Sequence, residues 1–491
     1  MSRLALFSAL LLSACSSPEL TGTNFHCDTD ADCLDGKVCG RINGQAACVF
    51  TTDAPIQLGM TGPFQGPSQD LGTEMRRGIL AMLKRVNDRG GIFGRPVMLT
   101  SLNDNYDPMQ ARKNAEVLLD VEQNVADPDS PDRRGKDSVF ALIGNIGTPT
   151  MLETAPLATK NRVLYFAPFT GSQRYLRDNT NSPYVYNYRA GYFDETEAMV
   201  DYLANYRQPR VISSPPADSY RRVLAFTQKD SYGDAGYEGL VQAYNKLAPL
   251  PQPDSSQANP SIARIYYDRE NVQSVEPAIA KTAEMLSGIL GDGSSRQSVA
   301  IVMVDTYLPG NKFIRGVKDW LNQDAARASA LDVVFLNVSF VGSDSLAAAL
   351  TSAPEIYLDV RDGSRRAYAE GVMVTQVVPY YDTQSVAVSE YRADMAALDG
   401  GTHTFTSLEG YVVARLFVKA LELNGPSLDT ESFRGTLDNS MSNVDIGIGT
   451  RLSFSSTNHQ ASHTVWGSVI QADGSFKVPF TWNPSERIKP N

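Results

Sequence analysis

The chain has 491 residues, 42% of them hydrophobic, and a formal net charge of -11 at neutral pH. That length exceeds one ordinary domain and suffices for two well-buried lobes. The acidic balance, with no basic run interleaved with aromatics, argues against a nucleic-acid partner, because phosphate binding needs a basic surface.

The start, MSRLALFSALLLSAC, has a cationic Arg3, an apolar core and the run Leu12-Ser13-Ala14-Cys15. The core is too short to span a bilayer. It predicts a signal peptide over 1–14, cleaved before Cys15, with lipid attached to that cysteine. Several acyl chains anchor stably where one would not. The only other cysteines, Cys27, Cys33, Cys39 and Cys48, crowd into a short polar stretch. Outside the cytoplasm such a cluster predicts two disulfides rather than a metal site, with three pairings open. Residues 15–54 therefore read as an anchor and a stapled segment.

From residue 56 the pattern is strand, helix, strand, helix. An apolar run over 56–60 ends in the loop TGPFQGP. Met75, Ile79, Met82, Leu83 and Val86 then recur at helical spacing, and Gly90-Gly91 stops that helix. A strand over 97–102 and a helix begun by Asp107-Pro108 follow. This βαβα order predicts a parallel sheet covered by helices. Residues 121–138 are polar and read as a surface insertion, and 139–143 and 163–166 as strands. Further strands are expected over 223–227, 262–267, 299–304, 333–336, 371–378, 452–454 and 465–470. Helices are expected over 194–206, 236–247, 275–290, 312–321 and 407–423. The Pro- and Ser-rich 249–260 reads as a loop.

The run TGPFQG…LG, the helix end VNDRGGIFGRPV and the stretch NDNYDPMQARKNAEVL resemble the opening of type I periplasmic ligand-binding proteins. That is the group of the leucine/isoleucine/valine-binding proteins of ABC importers, and the likeness continues in order to about Phe476. It implies an α/β fold of two Rossmann-like lobes with parallel sheets, joined by a three-strand hinge. Lobe 1 would hold 55–188 and about 377–438. Lobe 2 would hold 189–376 and about 439–482, leaving 483–491 as a tail. The chain would cross between lobes near Tyr188, within 341–376 and within 438–451.

In such sheets ligands bind at loops beyond the carboxyl ends of strands. Ile146, Gly147 and Thr148 form one such loop, and Phe169, Thr170 and Gly171 another. Both loops offer hydroxyls and backbone N–H groups suited to a carboxylate, each contact contributing roughly 0.3–2 kcal/mol. The resemblance assigns them the ligand's carboxylate. Phe64, Gln65 and Leu71 wall the same side. From the second lobe, Tyr232 and Tyr307 match family positions that cover the ligand. Ser339 aligns where amino-acid binders carry an acid for the ligand's ammonium. A serine cannot neutralise an ammonium, so either Asp305 or Asp230 supplies the charge or the ligand is not an α-amino acid.

Catalytic motifs are missing from the sequence. It has neither a G-x-S-x-G elbow nor a phosphate-binding G-x-x-x-x-G-K-[ST] loop. His459 and His463, in HQASH, read as exposed loop residues. No catalytic residue, cofactor or metal is expected. The chain reads as a lipid-anchored, extracytoplasmic solute-binding protein, not an enzyme. It would capture a small polar solute, an amino acid or a related amide or carboxylate, by hinge closure and pass it to an ABC permease. A sensor signalling to a partner protein is the other reading.

Overall fold

A computed structural model describes residues 27, 29–33, 37–42, 45–50, 54–121, 137–173, 177, 182–213, 217–247, 262–290 and 296–491. The signal peptide, the lipid-bearing Cys15 and most of the 121–138 and 249–260 loops lie outside these residues. Among the described residues no helix is long and apolar enough to cross a membrane.

The strands form two large sheets. The first is five-stranded and parallel, in the order Val97–Asn103, Ile56–Gly62, Ala141–Ile143, Leu164–Phe166, Val185–Tyr186. Gln69–Asp88 lies on one face and packs mainly on Phe405–Asn424, with Val386–Leu398 beside it. Glycine sets that crossing. A Cβ on Gly78 would stand 1.8 Å from the Ser407 carbonyl oxygen, and one on Gly410 would stand 2.1 Å from that of Met75. Backbones so close leave no room for a side chain.

The second sheet has eight strands. Ala263–Tyr267, Val223–Gln228, Gln297–Val304, Leu331–Asn337 and Met373–Gln376 run parallel. Val465–Ile470, Phe476–Asn483 and Arg487–Pro490 extend it antiparallel. The two-lobed α/β fold thus stands, with a mixed second sheet. The last strand occupies residues where a tail was expected. Alternating exposure in these edge strands gives a weaker periodic signal than the solid apolar runs of the parallel ones.

The three crossings lie side by side. Asn187 bridges Gln460, and the Tyr188 hydroxyl donates to the Val377 carbonyl at 3.0 Å. The second crossing follows Gln376, because Met373–Gln376 still pairs in the second sheet. The third comes near Gln460, later than 438–451. Before it, Phe454 packs edge-on to Phe166 and Tyr186, and His459 stacks 3.9 Å from Tyr186, all on the first lobe. His459 is buried, contrary to the exposed-loop expectation, with Nδ1 2.9 Å from the Val185 carbonyl. Of 452–454 only Leu452 is in a strand, Arg451–Leu452, which pairs antiparallel with Val444–Asp445 in a two-stranded sheet.

In the N-terminal segment Lys37–Ile42 pairs antiparallel with Gln45–Phe50. The disulfides are Cys27–Cys39 and Cys33–Cys48, so all four sulfurs are consumed by an interleaved pairing.

Candidate functional site

The strand-tip loops of both lobes face one another across the crossings. On the first lobe Gly147, at φ +96, caps Thr148–Lys160; a Cβ there would meet the Tyr106 ring at 2.2 Å. Thr148 and Thr170 join the two loops through a 2.6 Å hydroxyl–hydroxyl bond. Ile146 bridges Phe169, and all six residues of these loops are buried. On the second lobe the Tyr232 hydroxyl donates to the Asp305 carbonyl at 2.9 Å. Ser339 begins the turn Ser339–Val341 at the tip of Leu331–Asn337.

Contacts run directly from lobe to lobe. Phe340 inserts between the halves, its ring 5.2 Å from Phe169 and 6.2 Å from Tyr106 on one side and 4.6 Å from Tyr232 on the other. Leu71 and Tyr307 flank Gly342, where a Cβ would stand 2.8 Å and 3.5 Å from their side chains. Ser68 donates to Glu270 at 2.5 Å and Ser345 to Asp70 at 2.8 Å. The Phe405 amide donates to Asp344 at 2.8 Å. The halves are therefore closed on each other, and the place between the predicted loops is taken by the Phe340 ring. Of the twelve expected site residues, Gln65 stands apart, exposed on the rim, and Phe64 is half-buried under Arg76, whose guanidinium sits 4.3 Å from its ring.

Beside the aromatic cluster is a buried charge network that the sequence reading missed. Arg189, on the first crossing, is fully buried, its guanidinium carbon 4.7 Å from the Phe169 ring centre. Its Nη2 donates to the Ser339 hydroxyl and lies 3.6 Å from Glu195, while Nε lies 3.6 Å from Glu409. Glu195 accepts from the Ser339 amide at 2.7 Å, the Ser339 hydroxyl at 3.0 Å and Thr375 at 2.6 Å. Arg177 braces the same corner, donating to the carbonyls of Ser172, Thr170 and Arg189.

Electrostatics follow from burial. Burial alone would weaken proton binding by Arg189, but the Glu409 and Glu195 charges more than offset it and hold the guanidinium charged. Burial pushes Glu409 up to about 7, with Arg189 opposing. It pushes Asp305 up to about 8 against the Asn337 hydrogen bond. Asp230 is also raised by burial, and its carboxylate is turned to Gln228 and Arg269. The Asp305 carboxyl is fully buried, with Oδ1 on Asn337 and Oδ2 without a hydrogen-bond partner among the described residues. A signal for the missed residues was present: Glu409 is a lone acid within the apolar run SLEGYVVARLFV, and Arg189 a lone cation in YNYRAGY. Charge at such positions is retained when it has a buried partner.

Residues 55–258 and 324–475 match the family described as periplasmic binding protein. A possible leucine/isoleucine/valine-binding protein from Rhodopirellula baltica is 30% identical. Its crystal structure superposes with a TM-score of 0.65, over 87% of this chain and 96% of that one. A substrate-binding periplasmic protein from Ralstonia solanacearum, 20% identical, shares the fold at a TM-score of 0.64, over 86% of this chain and 99% of that one. A Leu/Ile/Val-binding protein homologue from Brucella abortus is 25% identical over 199 residues, 39% of this chain; the alignment spans about half, 48%, of that curated relative. The chain belongs to the periplasmic binding proteins, as a type I member of the Leu/Ile/Val-binding family.

Proposed function

We propose that the protein binds a small solute between its two lobes, without turnover, outside the cytoplasm. The closed cleft carries this reading. Hydroxyl-bearing loops, aromatic rings and a buried guanidinium converge from both lobes beside the three crossings. Such a geometry gains affinity by bridging two hinged bodies. Phe64, Gln65, Leu71, Ile146, Gly147, Thr148, Phe169, Thr170, Gly171, Tyr232, Tyr307 and Ser339 remain the proposed contacts. Delivery to an ABC permease, tethering through lipid on Cys15 and the role of the Cys-rich segment as a spacer belong to the same proposal. Family membership and the Leu/Ile/Val-binding descriptions of its relatives support it.

The test is a thermal-shift and calorimetric panel of amino acids, amides and carboxylates on the purified chain. One solute bound per chain at micromolar concentration is expected. A folded protein that binds none of a wide panel overturns the reading.

A further inference from the structure

The most informative feature of the cleft is what its one buried guanidinium leaves unused. Among the described residues, Arg189 Nη1 has no hydrogen-bond acceptor, and Nε has only Glu409 at 3.6 Å, beyond hydrogen-bond reach. Buried donors of a charged group are rarely left so. Of the two acids nearby, Glu195 is filled by three hydrogen bonds from Ser339 and Thr375, and Glu409 stands on the Nε side at 3.6 Å. Ser339, where a carboxylate would be needed to receive an ammonium, instead receives Arg189 itself. The protein's own cation thus occupies the place of a ligand's cation.

The neighbouring wall is apolar. The Phe340 ring stands between Phe169 of the first lobe and Tyr232 of the second. It sits on a short turn rather than on a strand or long helix. A guest entering between the lobes must displace that ring, and the surfaces it leaves fit a planar or branched apolar body.

We infer that the cleft takes a small carboxylate without an ammonium group, its carboxylate at the unused Nη1 of Arg189 beside Phe169 and its apolar body in the space of the Phe340 ring. The inference rests on the solute-binding reading and adds the ligand's charge class. The unused Nη1 offers a charged N–H donor to a carboxylate oxygen, whereas an ammonium brought to the same point meets a like charge.

Matched ligands test it on the wild-type chain by calorimetry: 4-methyl-2-oxopentanoate against L-leucine, 3-phenylpropanoate against L-phenylalanine, and benzoate against benzamide. The expected result is saturable binding of at least one acid, with its amino or amide counterpart at least tenfold weaker. Arg189→Lys, which keeps the charge but loses the Nη1 donor at that point, should weaken the acid at least tenfold. Phe340→Ala, which leaves Arg189 in place, should tighten it. Amino acids binding as well as or better than their matched acids overturn the inference while leaving the solute-binding reading standing. Failure of every solute in this and the wider panel overturns both.

Discussion

The Phe340 ring, carried by the second lobe, packs 5.2 Å from the Phe169 ring of the first at a tilt of 37°. Closure is thereby held by the chain's own side chain. Aromatic pairs of this kind add about 0.5–1.5 kcal/mol each beyond the area they bury. A solute must exceed the closure already present, so its apparent affinity is reduced by the fraction of molecules whose cleft is plugged.

Phe340→Ala should therefore open the ligand-free protein. Small-angle scattering should show a larger radius of gyration than wild type, reversed by a bound solute. Thermal stability should fall by less than the about 3–5 kcal/mol of a fully enclosed Phe→Ala change, because the lobes can part instead of keeping a void. An unchanged radius together with a full core-type loss would mean that Phe340 is ordinary core.

Stability should fall as pH rises from about 5 to about 8. Burial holds Glu409, Asp104 and Asp344 up to about 7 and Asp305 up to about 8. Each is protonated more readily in the folded chain than in the unfolded one. Its contribution is complete below the ordinary carboxyl range and is lost as pH climbs through the folded value. For Glu409 the loss is roughly 3 kcal/mol. Glu409→Gln stays neutral throughout, so its melting temperature should exceed wild type at pH 8 and match it more closely at pH 5. Calorimetric melts at both pH values check this.

Gly78→Ala should destabilise the first lobe by about 1–3 kcal/mol, since its Cβ would stand 1.8 Å from the Ser407 carbonyl oxygen and the helices would have to separate. Urea unfolding should show a lower midpoint with an unchanged slope. Gly288→Ala, where a Cβ meets nothing within 4 Å, is the control and should be neutral or slightly stabilising through helix propensity.

Peptide mapping without reduction should recover Cys27 joined to Cys39 and Cys33 joined to Cys48. Replacing all four by serine should leave solute binding within about twofold, because the cleft residues belong to the two lobes. A large loss of binding would tie the small module to the cleft.

Much of the fold was legible because parallel strands buried on both faces read as solid apolar runs ending in Gly and Thr loops. The strands at 141, 223 and 297 show this most plainly. Val386–Leu398 and Thr430–Ser440 were not legible. The first has weak amphipathic contrast, and the second carries only three buried residues among polar ones. Of the site, the loop residues could be read because backbone geometry and hydroxyls announce themselves locally. Arg189 and Glu409 showed only as lone charges in apolar runs, and Glu195 and Phe340 showed nothing, since their partners lie more than 100 residues away, as in the pairing of Glu195 with Ser339, of Arg189 with Glu409 and of Phe340 with Tyr232.

The central claim, that the two lobes exist to hold a guest, is tested most directly by native mass spectrometry. The unfolded and refolded protein, stripped of any passenger, is incubated with a metabolite extract and desalted. The account predicts one small organic anion retained per folded chain, released on denaturation and diminished in Arg189→Lys. A folded chain that retains nothing contradicts it; one that retains only cationic amines overturns the charge class and keeps the guest.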